Sequence, residues 1–264
     1  MTLPVSLYGS RKRSSIMNRN PTGKRARASR MQAEFDLLAD EYSALHKHNV
    51  AITGESPEYF YEYKIADLAR LLNRLRLPTT KILDFGSGIG NSLPYLRKYF
   101  PRSEISCADV STRSIEIAQS RFPGKENYIL IDRDIPLPSA SEDVVFSACV
   151  FHHIPHDEHL HWLNELRRVT RPGGLLAIYE HNPLNPLTVR AVNTCPLDVN
   201  AQLIRAGVMR RRVLEGGWDE AHIDYKLFFP FMLRALRPLE ARLGWLGLGA
   251  QYRLAAQRHS GDRR

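Results

Sequence analysis

From residue 79 onward the chain alternates short apolar runs with stretches whose apolar residues stand three and four apart. The first run is Lys81-Ile-Leu-Asp84-Phe, the second Glu104-Ile-Ser-Cys-Ala-Asp109, and the third Tyr128-Ile-Leu-Ile131. A fourth, Val144 to Val150, is apolar throughout, as a central parallel strand buried on both faces must be. Leu175-Leu-Ala-Ile-Tyr179 reads as a fifth strand, and Gln251-Tyr-Arg-Leu-Ala-Ala256 alternates weakly, as a closing strand would. Helical spacing fills residues 92–100 and 112–120 and the stretch that ends at Arg168; another helix is expected to end at Ala206-Gly207. Ahead of the first strand, Phe35, Leu38, Ala39, Tyr42 and Leu45 lie at helical spacing. Ser56, before Pro57 and Glu58, marks the start of a second helix through Tyr63, Ile65, Leu68, Leu71 and Leu72. Alternation of this kind predicts an α/β fold: a mostly parallel sheet with helices on both faces and a helical N-terminal cover.

The most informative turn follows the first strand: Asp84-Phe-Gly86-Ser87-Gly88-Ile-Gly90-Asn91. A chain that leaves a strand and doubles into a helix passes through φ > 0, where glycine is at ease, and a missing Cβ lets a ligand lie against the backbone. A dinucleotide fingerprint would be G-x-G-x-x-G. Here Asn91 stands where its third glycine belongs, and Asp84 adds negative charge beside the loop. Both features disfavour a pyrophosphate and suit a cationic or amine-bearing ligand.

Composition adds two constraints. At 264 residues, 43% hydrophobic and 25% charged, the chain is long enough for one large core. Its net charge of +9 is concentrated at one end: Arg11, Lys12, Arg13, Arg19, Lys24, Arg25, Arg27 and Arg30 precede the first acid. The body is therefore close to neutral. Residues 1–30 have no apolar periodicity and read as a disordered basic tail: a solvated extension, an arm for RNA or anionic lipid, or a stretch upstream of a start at Met17 or Met31. Cys107, Cys149 and Cys195 lack C-x-x-C spacing, which suggests neither a disulfide framework nor a metal site. With no membrane-length apolar run and no signal-peptide pattern, the expected compartment is the cytoplasm.

D-x-G-x-G-x-G at the end of a strand resembles the first motif of the class I S-adenosylmethionine-dependent methyltransferases, and the family's other parts follow in order. Asp109, ending the second strand, resembles the acid that accepts from both ribose hydroxyls. Asp132 stands where family members accept from the adenine amino group, with Asp134 as its rival. Residues 135–146 resemble the segment leading into strand four, with Glu142 in place of the usual aromatic. His152-His153-Ile154-Pro155 resembles the segment after it, and Arg171-Pro-Gly-Gly174 the turn into strand five. The resemblance implies a Rossmann-like seven-stranded sheet, its antiparallel closing strand set between strands five and six. It divides the chain into a tail (1–30), a helical cover (31–78), a methyltransferase domain (79–258) and a short tail (259–264). It implies S-adenosylmethionine as methyl donor, held by Asp84, Gly86, Ser87, Gly88, Gly90, Asn91, Asp109, Val110, Asp132, Arg133 and Cys149.

The acceptor is less well marked. Glu180-His181-Asn182 leaves strand five at the ligand edge, which makes His181 the candidate general base, Glu180 or Asn182 its orienting groups, and His153 a further catalytic candidate. Tyr42, His46, His48, Tyr59, Tyr61 and Tyr63 are candidates for acceptor contact. His152, His153, His156, His159 and His161 lack acids or cysteines at ligand spacing, so no metal is expected. Residues 227–248 are rich in apolar and aromatic side chains. They pack on the sheet, line a pocket for a greasy acceptor, or rest on a membrane as a peripheral contact. The favoured function is O-methylation of a small-molecule, sugar or lipid-precursor acceptor, with no obligate protein partner. RNA modification through the basic tail and non-catalytic cofactor binding are the alternatives.

Overall fold

The computed structural model describes residues 53–259 and, upstream, Asp36, Ala39, Leu45, His46 and Val50. The basic tail, Tyr42, His48, most of the helix expected over 35–45 and residues 260–264 lie outside the described residues. Helix α1 (Pro57–Leu75) starts where its proline predicts and ends at Arg76, whose left-handed φ of 54° stops it. Ser56 is extended but makes no side-chain cap. The next elements are β1 (Lys81–Phe85), α2 (Leu93–Tyr99), β2 (Glu104–Asp109), α3 (Thr112–Arg121), β3 (Asn127–Leu130) and β4 (Glu142–Ala148). After them come α4 (His159–Val169), β5 (Thr170–His181), α5 (Pro186–Thr194), a 3₁₀ turn (Pro196–Asp198) and α6 (Ala206–Glu215). The last elements are β6 (Glu220–Lys226), a 3₁₀ stretch (Phe231–Leu239), α7 (Glu240–Leu243) and β7 (Gln251–Gln257).

The seven strands lie in the order β3-β2-β1-β4-β5-β7-β6. β7 is antiparallel to both its neighbours, and the other pairings are parallel. The expected sheet and the expected place of its closing strand are thus both present. Period-two alternation sends Val144, Phe146, Leu175, Ala177 and Tyr179 to one face, against α1 and α2. Val145, Leu176 and Ile178 go to the other, against α4 and α6. Strand order reverses between β1 and β4, so the connections leaving their carboxyl ends part to opposite faces and open a crevice there.

The last third departs from expectation. Ala206-Gly207 begins a helix instead of ending one: Arg205 is extended, and Ala206, Met209 and Val213 form the buried stripe of α6. β6, Glu-Ala-His-Ile-Asp-Tyr-Lys, has no apolar run to announce it. Residues 227–248 divide in two: Leu227 is buried and Phe228 and Phe229 half-buried, whereas Met232, Trp245 and Leu248 are exposed.

A buried charge cluster ties α1 to the far side of the sheet. The Asp67 carboxylate accepts from Tyr179 Oη (2.9 Å), Lys226 Nζ (3.0 Å) and Arg253 Nη1 (2.7 Å), and Arg253 also pairs with Asp224. Burial opposes ionisation of Asp67, but Arg253 and Lys226 outweigh it and hold its pKa below the ordinary value. Removing one member of such a cluster leaves buried charge without a counter-ion. Asp67→Ala is therefore expected to lower unfolding free energy by roughly 3–5 kcal/mol, read as a shift in the urea midpoint at neutral pH; a loss below about 1 kcal/mol would show the cluster to be solvated.

Candidate functional site

Each glycine of the turn after β1 has its own reason. Gly86 (φ +75°) lies under Val150, whose Cγ2 would be 2.3 Å from an added Cβ. Gly90 (φ +79°) packs on α3, where a Cβ would stand 3.1 Å from both Ala118 and Phe122. Gly88 (φ +52°) has nothing within 4 Å of its Cβ position. It borders a cavity of about 640 Å³ at the carboxyl ends of the strands, within the roughly 300–1,000 Å³ range of small-molecule sites. A side chain at Gly88 would enter space where a ligand can touch the backbone.

Next to Gly88 the Asp109 carboxylate is already half committed. Oδ2 accepts from Gly88 N (2.7 Å) and Oδ1 from Ser111 N (2.9 Å), which fixes its orientation and leaves each oxygen a further lone pair. Gly86, Ser87, Gly88, Asn91, Asp109 and Val110 line the cavity, as do Asp132 and Cys149. Ser87 Oγ is buried without a partner there. Cys149 adopts φ +60°, a backbone state a side-chain-bearing residue rarely takes outside constrained sites. Asp84, Gly90 and Arg133 are not among the lining residues. Asp84 is buried beneath the loop with Oδ2 unpartnered, and the Arg133 carbonyl accepts from His161 (2.5 Å).

At the other end the histidines converge. Glu180 and His181 are consecutive in β5, so their side chains point to opposite faces. Glu180 accordingly orients His152 and not His181: Oε2 lies 2.5 Å from His152 Nδ1, and Oε1 accepts from Val150 N (3.0 Å) and Phe151 N (2.8 Å). Asn182 binds the carbonyls of Gly247 and Gly249. His152, His153 and His181 line the cavity, and Glu180 does not. His152 Nε2 and His153 Nε2 each stand 3.5 Å from Asp198 Oδ1. Burial works against a charge on His152, yet Glu180 and Asp198 raise its pKa to about 10. Burial, then the neighbouring His152 charge, lowers His153 to about 3 and His181 to about 4.

Three groups at this end escape a sequence reading. Lys64 lines the cavity, is only 6% exposed, and has no hydrogen bond or ion pair among the described residues. Its one sequence signal is a charge in register with Leu68, Leu71 and Leu72, on the apolar face of α1. Asp198 sits on a 3₁₀ turn and Gln251 on the closing strand, neither with a local motif. Of the acceptor candidates, His46, Tyr59 and Tyr61 line the cavity, whereas Tyr63 donates to Glu240 (3.0 Å). Asn91 Nδ2 donates to Tyr61 Oη (3.1 Å), and the Tyr61 hydroxyl to His46 Nδ1 (2.6 Å), which links the glycine loop to the upstream segment. Burial and then the Lys64 charge lower the His46 pKa to about 4, so it accepts as a neutral ring.

Residues 83–178 match the family model for a methyltransferase domain. Over 98 residues the chain is 33% identical to trans-aconitate 2-methyltransferase of Rhodopseudomonas palustris (strain BisB18), covering 37% of each protein. Over 151 residues it is 26% identical to demethylmenaquinone methyltransferase of Thermotoga maritima, covering 57% of this chain and 61% of that one. The chain thus spans less than two thirds of the length of these curated relatives. A crystal structure of an S-adenosylmethionine-dependent methyltransferase from Thermotoga maritima shares the fold, with a TM-score of 0.61 at 16% identity over 86% of this chain and 99% of that one. Residues 83–178 thus match a methyltransferase-domain family, and the chain has the fold of S-adenosylmethionine-dependent methyltransferases, in line with the resemblance carried by the glycine turn and Asp109. Among the described residues no helix is long and apolar enough to cross a membrane.

The buried Asp84 makes stability depend on pH in a known direction. Burial, then repulsion from Asp109, raises its pKa from 3.8 to about 7. Between pH 4 and 7 the unfolded chain therefore ionises this group while the folded chain does not, so its contribution to stability falls as pH rises. Asp84→Asn removes that fall. Relative to the parent chain, the variant is expected to gain on the order of 4 kcal/mol in unfolding free energy between pH 4 and 7.5; parallel urea titrations that show a pH-independent difference would refute the assignment.

Proposed function

We propose that this chain transfers the methyl group of S-adenosylmethionine to an oxygen of a small molecule that carries a carboxylate. The observation that carries this reading is Lys64, a buried cation with no hydrogen bond or ion pair among the described residues, in the wall of the cavity that the glycine loop also lines. Burying an ammonium is costly unless it is paired. A sugar hydroxyl would leave it without a counter-ion, whereas a carboxylate supplies one. The trans-aconitate relatives act, by name, on such an acid.

The residues at the other end fit the donor. Asp109, with a lone pair left on each oxygen, would take the two ribose hydroxyls; Gly88 leaves the backbone open to contact. Ser87 Oγ, Asn91, Val110, Asp132 and Cys149 complete the wall. When bound, S-adenosylmethionine supplies a methyl group on a sulfonium, open to in-line attack. The protein's part is to hold the acceptor oxygen in that line and keep water out, which is where most of the rate gain of such a transfer originates. Lys64 anchors the acceptor by its charge. His153 and His181 are then neutral hydrogen-bonding walls, because a carboxylate needs no base before it attacks.

Calorimetric titration of S-adenosylmethionine into the full chain is expected to give dissociation constants in the micromolar range, about −8 kcal/mol. Gly88→Arg and Asp109→Ala should abolish the heat; a folded parent chain that binds none would refute the reading. Lys64→Gln should leave that affinity intact while lowering kcat/KM at least tenfold on carboxylate acceptors drawn from a panel. Equal losses on neutral acceptors, or none on acids, would remove the acid from the proposal.

A further inference from the structure

We infer that His152, His153 and Asp198 form a binding site for a divalent transition-metal ion of the zinc class, with an open coordination position facing the cavity. The His Nε2 atoms and the carboxylate oxygen lie within 4.8 Å of one another. Metal–ligand distances of about 2.0–2.1 Å put tetrahedral ligands roughly 3.4 Å apart. Both His–Asp198 separations are 3.5 Å and already meet that spacing.

Hydrogen bonding alone does not account for the arrangement. Two imidazole nitrogens approach the same Oδ1 at a distance too long for charge-assisted bonds, which run about 2.7–2.9 Å. His152 Nε2 is buried, and among the described residues it meets only this long contact to Asp198. A shared cation at the centre satisfies all three atoms at once. The surrounding contacts are those that orient a metal-binding histidine: His152 Nδ1 meets the Glu180 carboxylate at 2.5 Å, which places the lone pair on Nε2, and Glu180 is itself pinned by two backbone N–H groups. The Asp198 turn is held to the histidine segment by the bond from Gln202 N to His152 O (2.7 Å).

Two nitrogens and one carboxylate select a zinc-class ion over magnesium or calcium, which prefer all-oxygen sites, and three protein ligands leave a position for substrate. His153 and Asp198 stand at the wall, 17% and 10% exposed, so that position opens into the cavity that Lys64 also lines. Ion binding stands independently of the acceptor. Its role as a clamp on an acceptor oxygen rests on the methyl-transfer reading above.

The test is Co²⁺ titration of the chelator-stripped full chain, followed by visible absorption, with Zn²⁺ as competitor and Mg²⁺ as control. One equivalent should bind with an N/O-ligand d–d spectrum and be displaced by Zn²⁺ but not by Mg²⁺. Asp198→Asn and His153→Gln should each weaken binding at least tenfold, and Glu180→Gln roughly 10- to 100-fold. Any of four results overturns the site: no spectrum in a chain whose thermal melt shows it folded, unchanged affinity in both ligand variants, displacement by Mg²⁺, or a thiolate-to-cobalt band, which would move the ion to Cys149 or Cys195. Should Asp198→Asn unfold, the more exposed His153→Gln decides. S-adenosylmethionine affinity measured on the stripped chain separates failure of this site from failure of the methyl-transfer reading.

Discussion

The reversal of strand order between β1 and β4 is the constraint from which the rest follows. Two parallel strands lie side by side while the chain leaves them toward opposite faces of the sheet, so neither connection fills the gap above their carboxyl ends. The turn after β1 must be glycine-rich to clear Val150 on the β4 side and Ala118 on α3. That same tightness leaves Gly88 as bare backbone at the cavity. Asp109, ending β2, locks the turn through the Gly88 amide. One hydrogen bond therefore links the fold's switch point to the floor of the site.

This part of the molecule is legible in the sequence because its physics is local. A strand, an acid and three alternating glycines need no distant partner to be read, and neither does an all-apolar central strand. Lys64, Asp198 and β6 are not legible, each for a different reason. Lys64 is a single charge at apolar helical spacing, ordinarily a tolerated exception, and its isolation shows only once the cavity does. Asp198 reaches the histidines through backbone pairing between segments far apart in sequence. β6 is the edge strand: Ala221, Ile223 and Tyr225 alternate with Glu220, His222 and Asp224, so its three apolar residues never form the run that announces the other strands.

The histidine segment is a case in which the pattern along the chain and the assembled geometry point different ways. Adjacent histidines without acids or cysteines at ligand spacing argue against a metal in sequence, because ligand spacing is normally sought along the chain. Here the two carboxylates that matter arrive from β5 and from a turn beyond α5. The β-strand period then assigns Glu180 to His152 and leaves His181 on the cavity side. A residue pair that looks like a base and its orienting acid is divided by the pleat into two separate functions.

Charge balance joins the two ends of the cavity. Lys64 contributes one positive charge near the acceptor end, and a bound sulfonium would add a second. With only a proton between them, Glu180 and Asp198 leave the His152 cluster one unit negative, partly offsetting Lys64. The divalent ion proposed above, in place of that proton, would make the cluster neutral and leave both cations uncompensated in the cavity. A monoanionic acceptor of the class proposed above would offset one of these two charges on entry, and methyl transfer to its oxygen would cancel one positive and one negative charge together. By the same electrostatics the product of that transfer would be bound less tightly than its substrate, because the group that pairs with Lys64 and the ion would have lost its charge.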